Sequence, residues 1–390
     1  MEKNDFIFIK GKNPGLSKFE ILSYLDARNY EYKVLENAKD FLVVSISNVD
    51  IEKMINSLGG TLKIAPLLAS FLKSELNSAL ENIKMEEIFK PKIKLFGVSV
   101  YAEKDSYETY KLIGGYFKKK LKQNGISANY FGFSRKEPIM TNVEVIKKNL
   151  INESAEIVVC SKNKTYIGVT KAIHNPFEFQ KRDIGRPVQR TIFSIPPRLA
   201  KILINLSGAK EGDKLLDPFC GIGTILQEAV LNGINIIGLD IDEKCIEGSK
   251  ENLRWLFKEY NLNLNIDDKV KTGDARKLSE YFQRNSIDAI ATEPYLGPPL
   301  KNKPTESEAY RIFEKIEDLY EKSLGEMYMV LKPKKRIAIV SPCIKISKTK
   351  DVKFDFQSIV RKAGFKMINS FIDAEERHKT FREIFVIAKP

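Results

Sequence analysis

The chain has 390 residues, 43% hydrophobic and 29% charged, enough for at least two folding units with cores of their own. No apolar run approaches the ~18 residues of a membrane-spanning helix, and Met1-Glu2-Lys3-Asn4-Asp5 lacks a secretory layout; the 4 scattered cysteines and 2 histidines argue against a disulfide framework, a zinc site and His-based catalysis, and point to a reduced cytoplasmic interior. Lys and Arg number 64 against 51 Asp and Glu, a net charge of +13, and nine basic but only two acidic residues lie between Lys111 and Leu150, which is either a solvated lysine-rich face or the footprint of a polyanion.

In the first 67 residues, 6–9 and 41–46 read as strands and 17–28 as a helix. Asp50 is placed to cap a helix running to Leu58, which Gly59-Gly60 ends. A second segment, 68–170, opens with a helical stretch at 72–88 and a strand at 94–101. Residues 107–124 form an amphipathic pattern carrying Lys118, Lys119, Lys120 and Lys122, stopped by Gly125. A strand at 126–132, a helix at 141–150 and strands at 156–160 and 165–170 follow. Residues 171–195 are polar, basic and interrupted by Gly and Pro, and read as a linker. From 196 to 390 the pattern becomes strand, helix, strand: strands at 214–217, 234–240, 270–273, 287–292 and 336–341, helices such as 242–260 and 306–331. This alternation predicts an α/β, Rossmann-like, mostly parallel sheet covered by helices on both faces. The end differs, with strands at 367–372 and 383–388 and no helix between them, so the last strand is expected to be antiparallel.

In such a sheet ligands lie beyond the carboxyl ends of the strands. The first strand of this region runs into Asp217-Pro218-Phe219-Cys220-Gly221-Ile222-Gly223-Thr224 and then a helix. Gly221 and Gly223 free backbone for close approach, but the third glycine of a dinucleotide fingerprint is Leu226. Asp217 would repel a pyrophosphate and suits the ammonium of a methionine moiety, which favours S-adenosylmethionine over NAD. Asp240 ends the second strand, where a carboxylate meets ribose hydroxyls, and Asp274-Ala275 follows the third, where Asp274 is placed to accept from an adenine amine. Singly, each is as well explained by a tight turn or a helix cap. Together on consecutive strand ends they point to Asp217, Phe219, Gly221, Gly223, Thr224, Asp240, Asp274 and Ala275 as a cofactor site.

The fourth strand ends in Thr292-Glu293-Pro294-Tyr295. This stretch resembles the acceptor motif of enzymes that methylate exocyclic base amines, an Asp or Asn, two prolines and an aromatic. Acceptors on the amine N–H groups localise a lone pair otherwise delocalised into the ring, while the aromatic stacks on the base. Pro294 and Tyr295 match; Thr292 stands in the Asp/Asn slot and Glu293 in the first proline slot, and Glu293 is expected to supply the displaced carboxylate. Further motifs extend the resemblance over most of the chain. Phe96-Gly97-Val98-Ser99-Val100-Tyr101, Gly125-Ile126-Ser127-Ala128 and Tyr166-Ile167-Gly168-Val169-Thr170 resemble a THUMP domain; Lys181-Arg182-Asp183, Gly185-Arg186-Pro187 and Ile195-Pro196-Pro197-Arg198-Leu199-Ala200 resemble the entry to its methylase domain. Together they resemble THUMP-containing tRNA (guanine-N2-)-methyltransferases of the guanine-10 type. The resemblance implies a ferredoxin-like segment (1–67), a THUMP RNA-binding domain (68–170), a basic linker (171–195) and a class I methyltransferase domain (196–390). It implies tRNA as partner, gripped by Lys118, Lys119, Lys120, Lys122, Arg135, Lys136, Lys147, Lys148, Arg182 and Arg186 through phosphate neutralisation. Some relatives work with a small activator protein; a monomer is the expected state here.

Two other readings stay open at this point. Ser341-Pro342-Cys343 follows the fifth strand, near where pyrimidine-C5 methylases place a nucleophilic cysteine. Alternatively, Thr292-Glu293 marks a drifted site, and the chain binds tRNA without modifying it.

Overall fold

The β-branched and aromatic runs before residue 178 zip into one sheet. The computed structural model describes residues 3–90, 93–133, 137–190, 194–263, 265–374 and 378–390, and the chain divides into two units, residues 1–21 with 29–178 and residues 22–28 with 179–390. Strands of the first unit are β1 (Lys3–Lys10), β2 (Tyr32–Asn37), β3 (Phe41–Ser47), β4 (Thr61–Phe71), β5 (Leu95–Ala102), β6 (Asn129–Tyr130), β7 (Ala155–Ser161), β8 (Thr165–Val169) and β9 (Ala172–Ile173). Their order is β2-β3-β1-β4-β8-β7-β5-β6, with β9 beside β4. β4 pairs with β1 through Pro66 and with β8 from Leu67 onward, so the boundary expected at residue 67 falls inside a single strand. Pro66 is the last residue of β4 paired with β1, opposite Phe6, and the register of the β8 pairing shifts just beyond it, between Leu67 and Ala69. β2 escaped the sequence reading because it is a mostly exposed edge strand without an apolar alternation. The helix expected over 72–88 is three short pieces, Lys73–Glu75, Leu76–Asn82 and Met85–Ile88; burial of Leu80, Ile83, Ile88 and Phe89 against the sheet overrides helical continuity. Of the strand expected at 126–132 only β6 forms.

The second unit carries β10 (Lys214–Asp217), β11 (Asn235–Asp240), β12 (Val270–Thr272), β13 (Ala289–Thr292), β14 (Arg336–Lys345), β15 (Asp351–Lys353), β16 (Lys366–Asp373) and β17 (Thr380–Ala388). The order is β12-β11-β10-β13-β14-β17-β16, with β15 on β14. β10 to β14 pair in parallel, and β17 lies antiparallel between β14 and β16. This is the class I methyltransferase arrangement expected of the C-terminal half. After β12 the chain returns to the opposite side of β10, so a crevice opens at the carboxyl ends of β10 and β13. Helix Glu306–Val330 explains why that crevice is rigid: Ala309, Phe313, Ile316, Tyr320, Leu324 and Met327 recur at helical spacing and are buried. Tyr320 meets Phe354 and Phe356 edge-on, and Phe356 meets Phe385 on β17. No helix among the described residues is long and apolar enough to cross a membrane.

The stretch expected to be a linker is partly built. It contains β9 and helix Pro176–Ile184, and two of its arginines, Arg182 and Arg186, are inside the protein rather than presented to RNA. Arg182 is 4% exposed; its Nε and Nη2 fork onto Glu228 at 2.6 and 3.3 Å, its Nη1 reaches the Tyr260 hydroxyl, and Lys201 approaches the same carboxylate at 3.5 Å. Arg186, 3% exposed, donates to Thr224 Oγ1 at 2.6 Å and Ser194 Oγ at 2.8 Å. The expectation that Arg182 and Arg186 bind RNA is therefore corrected. A carboxylate as deeply buried as Glu228 requires counter-charge, and the 46 residues separating it from Arg182 hid the pair. Glu228→Ala, which strands two buried cations, is expected to cost about 3–5 kcal/mol of stability in denaturant unfolding of the full chain.

Candidate functional site

Four strand ends build the site. β10 ends in Asp217, β11 in Asp240, β12 runs on to Gly273-Asp274-Ala275, and β13 to Glu293-Pro294-Tyr295. Asp240, Asp274, Ala275, Glu293, Pro294 and Tyr295 line one cleft of about 390 Å³, with Phe219 and Gly221. That volume lies within the ~300–1,000 Å³ of small-molecule sites. Asp217 sits one step deeper. It lines a small adjoining hollow together with Glu293, Gly221 and Thr224, and is 1% exposed.

The loop after β10 is fixed from several sides. Gly221 adopts φ +51°, and its N–H donates to Asp240 Oδ2 at 2.8 Å. Gly223 adopts φ +87°, and a β-carbon there would lie 2.4 Å from Ser249 Oγ; its role is close packing against helix Glu243–Glu259, and it lines neither cavity. Asp240 Oδ1 also accepts from the Asp242 amide at 3.0 Å, and Asp242 itself caps that helix. Thr224 lines the hollow, with its hydroxyl accepting from Arg186.

Charge is the dominant feature. Asp217 Oδ1 accepts from the Thr292 hydroxyl at 2.7 Å and the Phe219 amide at 3.2 Å. Burial nevertheless pushes its carboxyl up to about 7, helped by the charges of Asp240 and Glu293. Glu293 is held by a guanidinium: Arg382 on β17 donates from Nε to Oε2 at 2.5 Å and from Nη2 to Oε1 at 3.2 Å. Asp274 is forked by Arg276, Nη2 to Oδ2 at 2.7 Å and Nε to Oδ1 at 3.0 Å, and this hydrogen bonding lowers its pKa. Arg190 lines both cavities and stands 3.7 Å from Asp242. The arrangement is an acidic cleft, partly neutralised by fixed guanidinium groups and lined at one end by a half-exposed tyrosine, Tyr295.

In the first unit, Lys118, Lys119 and Lys122 project into solvent from helix Ser106–Gln123. Lys120 does not; it is engaged by Glu81. Lys147 and Lys148 are exposed, with Lys148 Nζ 4.8 Å from the centre of the Phe131 ring. Arg135 and Lys136 lie outside the described residues.

Residues 188–353 match the family described as RMKL-like, methyltransferase domain. The tRNA (guanine(10)-N2)-dimethyltransferase of Pyrococcus abyssi (strain GE5 / Orsay) is 27% identical over 386 residues, 98% of either chain. A protein of Methanothermococcus thermolithotrophicus named "Probable tRNA (guanine(10)-N2)-dimethyltransferase" is 35% identical over 142 residues, 36% of this chain and 82% of that one. The chain belongs to the tRNA (guanine(10)-N2)-methyltransferase family. Its fold is also that of TrmN from Thermus thermophilus, whose solved structure superposes with a TM-score of 0.55 at 18% identity over 99% of this chain and 100% of that one.

For a member of this family, one acceptor-site expectation, that of Thr292, needs revision. Thr292 is wholly buried, lines neither cavity, and gives its hydroxyl to Asp217; it steadies the end of β10 and does not face the cleft. Glu293 does face it, as an ion-paired carboxylate and not a free one. The pyrimidine-C5 reading is also set aside. Cys343 is buried in β14, lines neither cavity, and burial pushes its thiol up to about 11, far from the thiolate that attack would need. Arg190, Arg276 and Arg382 escaped the sequence reading. Arg276 was signalled by its place beside Asp274, Arg190 only by the basic stretch around it, and Arg382 by nothing local. Because folded Asp217 holds its proton up to about pH 7 while an unfolded Asp releases it near ~4, wild-type stability falls relative to Asp217→Asn as pH rises across that window. Denaturation midpoints of both proteins at pH 4.5 to 7.5, a range set by those two pKa values (about 4 and about 7), check this; parallel profiles would contradict it.

Proposed function

We propose that this enzyme transfers a methyl group from S-adenosylmethionine to the exocyclic N2 of guanine 10 in tRNA. The observation that carries the reading is the meeting of Asp240, Asp274, Glu293, Pro294 and Tyr295 in one cleft, with Asp217 directly beneath. When bound, S-adenosylmethionine supplies an electrophilic methyl group on a positively charged sulfur. The chain's residues suit such a ligand: the acidic floor attracts its cationic centres, and Asp217 Oδ2 has no partner among the described residues, leaving it open to an ammonium. Asp240 is placed for the ribose, Asp274 and Arg276 for the adenine, and Arg190 offers a counter-charge for the methionine carboxylate.

On the acceptor side, Tyr295 presents a ring face on which a purine stacks. Glu293 then accepts an N–H hydrogen bond from the base amine. The Arg382 fork keeps its carboxylate aimed and leaves each oxygen a further lone pair. Electron density on the amine nitrogen rises as that bond shortens, and the nitrogen is held in line with the methyl group. In this reading residues 68–170 serve as a THUMP RNA-binding domain with residues 1–67 before it, and Lys118, Lys119, Lys122, Lys147 and Lys148 meet the tRNA backbone. In this reading the enzyme works in the cytoplasm as a monomer.

The test is methyl incorporation from labelled S-adenosylmethionine into an unmodified tRNA transcript, followed by nucleoside analysis. N2-methylated guanosine is expected; tight tRNA binding without incorporation would overturn the reading. Glu293→Gln and Tyr295→Ala are expected to lower turnover by about 10²-fold or more while changing tRNA affinity far less. Cys343→Ser should leave turnover at the wild-type value.

A further inference from the structure

Beyond the acceptor motif the chain makes a second hollow, of about 470 Å³, that the methyl-transfer site does not use. Its wall is the loop from Pro299 to Pro304 and the first turns of helix Glu306–Val330, including Ile312 and Lys315. The loop leaves Tyr295 through Gly297, whose φ of +98° and approach to Ile312 (2.7 Å from a hypothetical β-carbon) only glycine accommodates. The loop's course is further restricted by prolines at 298, 299 and 304. Leu319, which lines the acceptor cleft, follows Lys315 by four residues on the same helix. Residues so spaced lie about 5–6 Å apart on one face, so the hollow and the cleft are neighbours.

The hollow is cationic. Lys301, Lys303, Arg311 and Lys315 line it, all exposed, and among the described residues none of the four is ion-paired. Glu308, its acidic lining residue, is committed to the helix cap, with Oε2 accepting from the Thr305 amide at 2.8 Å and the Thr305 hydroxyl at 2.9 Å. Glu306, nearby, is paired with Lys350 at 2.7 Å. Four unpaired cations on a restrained loop and helix, one turn from a pocket that receives a nucleobase, match a ribose-phosphate backbone and offer no base-specific hydrogen-bond pattern.

We propose that this hollow binds phosphodiester groups of the tRNA strand flanking the target guanine, so that the catalytic unit holds its own share of the substrate. The proposal rests on the methyltransferase reading above. Such a contact is electrostatic and sequence-independent, and each phosphate neutralised adds about 0.7–0.9 to the slope of log affinity against log salt. The experiment compares the full-length protein with Lys301→Glu/Lys303→Glu/Arg311→Glu and with the milder Lys301→Gln/Lys303→Gln/Arg311→Gln. Binding of an unmodified tRNA transcript is measured across a salt series, binding of S-adenosylmethionine by calorimetry, and methyl transfer at varied tRNA. The expected result is a tRNA Kd raised about tenfold or more, a salt slope lowered by about 2, and a raised KM at near-normal kcat. Unchanged S-adenosylmethionine affinity would show the cleft intact. If the wild type methylates tRNA but both variants keep its Kd and salt slope, this proposal alone falls. A wild type that binds no tRNA would bring down the methyltransferase reading and the proposal together.

Discussion

The second unit is organised around a carboxylate placed where water cannot reach it. Asp217 ends the central strand of a parallel sheet, covered by helices, with one oxygen satisfied by Thr292 and a backbone amide and the other facing a hollow. In that setting charge is costly, and proximity to Asp240 and Glu293 makes it costlier. A cationic ligand in the cleft would relieve that cost. Preorganised electrostatics of this kind selects the ligand before any shape is considered.

Guanidinium groups hold three other acids of the unit. Arg382 forks Glu293, Arg276 forks Asp274, and deeper in the unit Arg182 forks Glu228. A planar fork satisfies two carboxylate oxygens at once and fixes the direction of their free lone pairs. In the proposed reading Glu293 takes the place of the Asp or Asn of the usual amine-methylase motif, displaced by one residue and anchored from β17. The antiparallel last strand thus has a chemical use as well as a structural one: it brings the anchor to the acceptor side of the cleft.

The two kinds of basic residue in the chain have different fates. Lys118, Lys119 and Lys122 remain in solvent, each a hydrated point charge on a flexible stem. Arg182 and Arg186, in a segment that composition alone reads as a basic linker, are buried in the second unit, Arg182 as counter-charge to Glu228 and Arg186 on the hydroxyls of Thr224 and Ser194. Local composition reports how polar a segment is. It does not report whether a buried partner waits for it elsewhere in the fold.

By itself the sequence determined the parallel α/β unit, its antiparallel end, and the acids at successive strand ends, because each of these is written in short-range order: a period of two or 3.6, a glycine at a turn, a carboxylate closing a strand. It also put Pro294 and Tyr295 just beyond the fourth strand, where they line the cleft. Tertiary structure decided what those acids touch. That Thr292 serves Asp217 rather than the acceptor, that Arg382 anchors Glu293 across 89 residues, and that β4 carries one sheet past residue 67 all depend on pairings between distant segments. Such pairings are fixed by burial and register, quantities that exist only once the chain has closed on itself.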